Sequence, residues 1–308
     1  MSKKYRLVTR SDMDGLVCAV LLKHVGLIDK IDFVHPKDMQ DGKIDIGITD
    51  ITTNLPFVEG VHLAFDHHQS ETVRVEKKEN HIIDAAAPSA ARVVYNYYAG
   101  QANFPDSFQP MMNAVDKSDS ADFTKEEILN PEGWVLLSFL MDARTGLGRF
   151  KNFRVSNYAL MMDLIDYCKN HSIDEILNLP DVKERVDLFE SYIPPFKSQI
   201  ERCTTIHGNL AVLDLRKEDT IFPGNRFVIY ALYPDINISI HVLWGKDKKN
   251  TVLATGKSIF NKSSRTSVGE LMLKYGGGGH QAAGTCQVEN NDVNNILKEL
   301  IQQINADG

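Results

Sequence analysis

Asp66-His67-His68 carries the residue types best suited to metal chemistry in this chain. Carboxylate oxygen and imidazole nitrogen are donors that divalent cations accept. The triplet leaves an apolar run, Val61-His62-Leu63-Ala64-Phe65, that reads as a strand. Two more acidic segments stand at similar places. Asp12 and Asp14, spaced i, i+2, follow the strand signal at 5–8, and Gly15 lets the chain swing into a helix. Asp50 closes Ile48-Thr49-Asp50. Taken singly, each aspartate reads as a helix cap or turn residue. Taken jointly, they need a common explanation. If the strands are parallel, their carboxyl ends share one rim, and Asp12, Asp14, Asp50, His67 and His68 meet there. Such a crowd repels itself without a cation. A pair of divalent ions bridged by one aspartate, roughly 3.5–4 Å apart, satisfies it and suits phosphoryl hydrolysis. Asp116 and Asp119, at the end of a helical stretch, offer one more carboxylate to the same rim or serve as solvated helix-end charges.

The elements that must position these groups alternate. Strand signals at 5–8, 30–35, 44–49 and 61–65 are separated by helical or short crossover segments, including an almost wholly apolar helix at 15–26. This predicts an α/β fold with a doubly wound parallel sheet. A helix from Pro88 to about Tyr98 and further helices follow. A charged amphipathic stretch from Pro180, interrupted at Pro194-Pro195, reads as a connector. Beyond His207-Gly208 the texture changes. Strands at 209–215, 237–244, 251–259 and 285–288, with helices at 224–232, 267–275 and 292–304, predict a smaller α/β domain with a mixed sheet. The expected division is a catalytic domain at 1–180, a helical linker at 181–204 and a second domain at 205–308.

The second domain contains Gly276-Gly277-Gly278-Gly279-His280-Gln281-Ala282-Ala283-Gly284. Consecutive glycine amides can form a backbone nest for an anion, with His280 adding a hydrogen bond. A flexible linker is the plainer reading of four glycines alone.

With these motifs in place, the chain resembles the DHH phosphoesterase superfamily over nearly its whole length. Asp12 and Asp14 match the family's first motif, Asp50 its second, Asp66-His67-His68 its third, and Asp116 or Asp119 its fourth; 276–284 resembles the DHH-associated C-terminal domain. The resemblance implies two metal ions, Mn2+ first with Mg2+ or Co2+ as alternatives. Asp12, Asp14, Asp50, His67 and Asp116 or Asp119 would hold them, and His68 would face the substrate phosphate. Many members place a histidine four residues before the first aspartate. Here that residue is Val8, and Thr9, Arg10 and Ser11 offer no replacement ligand.

On the substrate side, the turn 142–149 carries Arg144 and Arg149, which read equally as phosphate-reaching groups or as helix-end arginines, with Arg144 the better candidate. Arg265, just before the helix that leads into the glycines, is a substrate-binding candidate. Lys246, Lys248 and Lys249 read as a solvated hairpin edge. Trp244, Phe260 and Tyr275 read as core residues that could also stack a base.

Composition sets the outer bounds. With 308 residues, two domains are the default. A net charge of −7 argues against a long nucleic-acid footprint, which needs a basic surface. Four scattered cysteines, the lack of a signal-like N-terminus and the lack of a long apolar run predict a cytoplasmic protein without a membrane span, monomeric or homodimeric. The expected activity is hydrolysis of short phosphate esters: short oligoribonucleotides, linear dinucleotides or nucleoside bisphosphates. Cleft closure between the domains would set size selectivity. The alternatives are hydrolysis of inorganic polyphosphate or pyrophosphate, and a weakly active nucleotide-binding protein.

Overall fold

The structure is a computed structural model that describes residues 3–308. The chain forms two compact units, parted between Leu188 and Phe189. In the first, β1 (Tyr5–Arg10), β2 (Ile28–Val34), β3 (Asp50–Thr53), β4 (Leu63–Asp66) and β5 (His81–Ile83) make an all-parallel sheet in the order β2-β1-β3-β4-β5. Its helices are α1 (Met13–His24), α2 (Pro36–Gln40), α3 (Gln69–Arg74), α4 (Ala90–Tyr97), α5 (Gln109–Ser120), α6 (Lys125–Leu129), α7 (Gly133–Met141), α8 (Asn157–Asn170) and α9 (Ile173–Asn178).

Successive strand residues point to opposite faces. Leu7 and Val8 are both fully buried, so β1 is covered on both sides, as parallel sheets require. Val8 packs with Met39 and Leu55. On the α1 side, ten successive residues, Met13 to Leu22, are buried, and the helix packs against α4, α5 and α8. Each fully buried Leu or Val contributes ~1.5–3 kcal/mol, which anchors the helix that carries Asp14.

The third strand departs from expectation. Residues 44–49 alternate like a strand but do not pair as one; Thr49 supplies only a carbonyl to Arg6 N–H. Pairing with β1 begins at Arg6 opposite Asp50 and ends at Thr9 opposite Thr53. Asp50 therefore starts β3 instead of ending it.

Helix α10 (Pro180–Cys203) leads from the first unit into the second. Pro194 and Pro195 lie inside it and donate no backbone bond, yet the helix continues past them, contrary to the expected interruption. The second unit has a six-stranded mixed sheet in the order β10-β11-β9-β8-β7-β6. Its strands are β6 (Thr204–His207), β7 (Leu210–Asp214), β8 (Ile238–Trp244), β9 (Thr251–Lys257), β10 (Gly278–His280) and β11 (Ala283–Val288). Only β7 and β8 pair in parallel. Helices α11 (Val228–Leu232), α12 (Val268–Leu273) and α13 (Val293–Asp307) complete the unit. Ile238, Ile240, Leu253, Val268, Met272, Leu300 and Ile304 belong to one core.

Candidate active site

The order β2-β1-β3-β4-β5 reverses direction between β1 and β3. In open α/β sheets the crevice at the carboxyl ends of such a switch point is where ligands bind. The chain sends three segments there: Arg10 to Asp14 from the end of β1, Asn54 just after β3, and Asp66 to His68 from the end of β4.

Asp12 caps α1, its Oδ1 accepting from Gly15 N–H at 3.0 Å. Gly15 has to be glycine because a Cβ there would lie 1.9 Å from the Arg10 carbonyl oxygen. The second oxygen of Asp12 meets Arg10 Nε at 2.9 Å. Burial pushes the Asp12 carboxyl up, while Arg10 and the Gly15 N–H pull against it. Asp14, in the first turn of α1, is buried and accepts from Ala90 and Ala91 N–H at 2.9 and 2.7 Å. These are unpaired donors at the start of α4, whose dipole favours the anion. Even so, burial and the nearby Asp119 push the Asp14 carboxyl to about 8.

His67 shows which nitrogen is available. Its Nδ1 lies 3.3 Å from the Ala87 carbonyl oxygen, so that nitrogen carries the proton and Nε2 is left to face the carboxylates. Asp119 Oδ2 is 2.9 Å and Asp14 Oδ2 4.0 Å from Nε2. Nε2 is a buried atom whose nearest carboxylate is Asp119, at ion-pair distance but without an aligned hydrogen bond. Burial disfavours a charged His67, but Asp119 and Asp14 raise it to about 9. Ligand atoms of Asp14, His67 and Asp119 all lie within 4.8 Å of one another. The three supply two carboxylates and one imidazole nitrogen, with an orphaned Nε2 among them, and this donor set fits a divalent cation. Such an ion would compete with a proton for His67 Nε2, since a metal-bound imidazole must be neutral.

Asp66 has a different role. Its Oδ1 accepts from His67 N–H at 2.8 Å and lies 2.7 Å from His68 Nδ1. It thereby fixes the His68 ring, with Nε2 on the ring's far side and nearly half of the side chain exposed. The Asp66 contact, ahead of the opposing effect of burial, raises the His68 pKa.

Two expected ligands stand elsewhere. Asp50 is held at the amino end of β3 by Arg6, at 2.8 Å to Oδ1 and 2.9 Å to Oδ2, and by Gly47 N–H at 2.7 Å. Three residues of strand, about 10 Å at 3.3 Å each, separate it from the opposite rim. Its place there is taken by Asn54, which is 2% exposed and adopts a left-handed backbone with φ 55°. Asn54 Nδ2 donates to Asp12 Oδ1 at 3.2 Å, and Oδ1 is buried without a partner. Asp116 accepts from Arg92 Nε at 2.8 Å and from Ser89 Oγ at 2.7 Å. Of the two fourth-motif candidates, Asp119 is the one brought to His67.

Arg144 is tied to Asp142, Nε to Oδ1 at 2.7 Å, with half of its side chain open. Crowding by neighbouring atoms works against its charge, but Asp142, then Asp12 and Asp119, raise its pKa. Beside Ser11, Asp142 and Ala143 lies a largely apolar cavity of about 210 Å³, walled also by Phe33, Leu137 and Tyr158.

The remaining candidates belong to the second unit. The four glycines are not an open nest of amides. Gly278, Gly279 and His280 form β10, paired with β11. A Cβ on Gly277 would lie 2.1 Å from the Thr285 carbonyl oxygen, and one on Gly279 would lie 2.2 Å from that of Ala283. One on Gly269 of α12 would meet the Gly279 carbonyl carbon at 2.6 Å. Close backbone packing therefore accounts for glycine at 269, 277 and 279; Gly276 is a turn residue with φ 75°. His280 is exposed, its Nδ1 accepting from Ala282 N–H at 3.3 Å. Arg265 is engaged by the end of α13, donating from Nε to the Asp307 carbonyl at 2.7 Å.

No family model matches the chain, and no match was found among curated proteins. Solved structures do match. A pGpG-specific phosphodiesterase, PggH from Vibrio cholerae, is 63% identical, with 99% of this chain and 100% of that one covered and a TM-score of 0.91. The DHH domain of a member of the s1p family of ribosomal proteins is 10% identical, with 99% and 87% covered and a TM-score of 0.57. RecJ in complex with Mg2+ from Thermus thermophilus is 13% identical, with 98% and 50% covered and a TM-score of 0.52. The last two share the fold.

Proposed function

The chain belongs to the DHH phosphoesterase superfamily, and on that premise we propose that it hydrolyses short linear dinucleotides, pGpG first, to mononucleotides. The observation that carries this reading is 63% identity to a pGpG-specific phosphodiesterase over essentially the full length of both chains. The rim described above supports it.

Asp14, His67 and Asp119 would hold a divalent cation. Mn2+ is favoured, with Mg2+ or Co2+ as alternatives, because the set mixes carboxylate oxygen with imidazole nitrogen. When bound, the ion supplies Lewis-acid charge to the phosphoryl oxygens. His68, fixed through Nδ1 by Asp66, offers Nε2 to a phosphoryl oxygen as negative charge develops there. Arg144 adds positive charge on the same side. Water attacks phosphorus in line, the P–O3′ bond breaks, and the leaving oxygen takes a proton. The apolar cavity beside Ser11 and Asp142 supports packing of a base near the scissile phosphate. Gly276–Gly279, His280 and Arg265 remain candidates for holding the distal nucleotide. For Gly277 and Gly279 the packing role is the better supported.

The four cysteines are unpaired, and no helix among the described residues is long and apolar enough to cross a membrane. The cysteines support action in a reducing, cytoplasmic setting.

The test is turnover with Mn2+ of pGpG, a non-guanine dinucleotide, a longer oligoribonucleotide and inorganic polyphosphate. Conversion of pGpG to pG well ahead of the others is expected. Phosphate release from polyphosphate, with pGpG intact, would overturn the reading.

A further inference from the structure

We propose that this chain holds one resident divalent cation, at Asp14, His67 and Asp119, and that the Arg10 guanidinium occupies the place of a second. The proposal rests on the phosphoesterase reading and deepens it.

The first aspartate of the Asp-x-Asp pair is already neutralised. Asp12 Oδ2 meets Arg10 Nε at 2.9 Å, and Oδ1 accepts from Gly15 N–H at 3.0 Å and Asn54 Nδ2 at 3.2 Å. Both oxygens therefore face donors. Asp12 is also absent from the set of ligand atoms that Asp14, His67 and Asp119 bring within 4.8 Å of one another.

The carboxylates that reach Asp12 are Asp14 and Asp119, both already committed to the resident ion. Val8 is fully buried among Met39 and Leu55. At the end of β3 the chain presents the neutral amide of Asn54, while Asp50 is fixed to Arg6 at the strand's other end. The Thr9 and Thr53 hydroxyls satisfy each other and the Thr53 carbonyl. A dication beside Asp12 would meet the Arg10 charge, with that of Arg144 also within reach. Coulomb repulsion at such distances in a partly buried site is severe.

A guanidinium is suited to the vacated role. It is permanently charged, and its planar fork of donors matches phosphoryl oxygens. With Nε turned to Asp12, the terminal nitrogens remain available to substrate. Asn54 completes the arrangement: its Nδ2 donates to Asp12, so that carboxylate is held by a neutral amide as well as by Arg10.

The experiment counts ions. Purified, metal-stripped protein is titrated with Mn2+, free ion is read by electron paramagnetic resonance, and bound metal is confirmed by elemental analysis. One tight equivalent per chain is expected for the wild type and for Arg10→Lys. Arg10→Met should admit a second, weaker equivalent, because Asp12 is released. Asp119→Asn should weaken the single site at least tenfold. Two equivalents of similar affinity in the wild type would overturn the proposal. An unchanged single equivalent in Arg10→Met would remove Arg10 as the excluding group. The Arg10 side chain is more than a third exposed, and circular dichroism verifies that its variants are folded. Since ions are counted without turnover, failure here is distinct from failure to hydrolyse pGpG.

Discussion

Replacing Asp50 by Asn separates a structural aspartate from a catalytic one. Asp50 is 4% exposed, accepts two nitrogens of Arg6 and takes Gly47 N–H on Oδ2. Removing one partner of a buried ion pair costs roughly 3–5 kcal/mol. Arg6 keeps 30% of its side-chain surface and retains Asp32 at 3.2 Å. The expected loss is therefore smaller, about 1.5–3 kcal/mol. For a unit of this size that lowers the melting temperature by roughly 3–12 °C. Burial raises the Asp50 pKa, but Arg6 and the Gly47 N–H outweigh it and hold the carboxyl below its ordinary value. A carboxyl depressed in the folded state stabilises fully above its unfolded pKa, near 4, and loses that contribution as pH falls through the folded value. The gap between wild type and Asp50→Asn should thus be flat from about pH 5 to 8 and close below about pH 4. Denaturant unfolding across pH measures it. Well below its melting point the variant should keep kcat/KM within about twofold, because Asp50 lies a strand length from the rim. A folded variant with unchanged stability and a loss of about a hundredfold or more in kcat/KM would refute the reasoning.

Other substitutions test the same geometry. Asp119→Asn should weaken Mn2+ binding by at least about tenfold, whereas Asp116→Asn should cost about 1–2 kcal/mol of stability with Mn2+ binding retained; calorimetry resolves both. Asp66→Asn should release the His68 ring and lower kcat by roughly 10–100-fold with KM less affected, as steady-state kinetics would show. Gly15→Ala should destabilise by ~1–3 kcal/mol or more, because its Cβ would strike the Arg10 carbonyl; chemical denaturation reads the loss.

Much of this architecture was legible in the chain. The apolar run of α1 and the strands at 5–8 and 61–65 follow from patterning, because sheets covered on both faces leave dense hydrophobic stretches, and the edge strand at 30–35 follows from its alternation. The third strand lies beyond its alternating pattern for a physical reason. Ile44-Asp45-Ile46-Gly47-Ile48-Thr49 alternates as a half-exposed strand would, whereas the true strand, Asp50-Ile51-Thr52-Thr53, is polar in sequence and buried in structure. Thr53 satisfies its hydroxyl on Thr9 at 2.7 Å and so loses its polar cost, whereas the Thr52 hydroxyl is buried without a hydrogen-bond partner. That shift of register exchanged Asp50 for Asn54 at the rim. Asn54 carries no distinctive signal in the sequence, because asparagine with positive φ is what an ordinary turn would use. The glycines were legible as a motif. Their cause, backbone against backbone, depends on partners that no local pattern reveals.

The strand order β2-β1-β3-β4-β5 also has a kinetic consequence. Arg10, Asp14, Asn54, His67 and Asp119 span more than a hundred residues of chain, and they converge only once β1 lies between β2 and β3 and β4 has docked. Non-local parallel pairing is slow to form, since loop-closure entropy is lost before contacts compensate. The ion site is thus among the last features to assemble. Cation affinity during refolding therefore reports completion of the sheet, and an ion that binds only the finished rim draws the chain toward it by mass action.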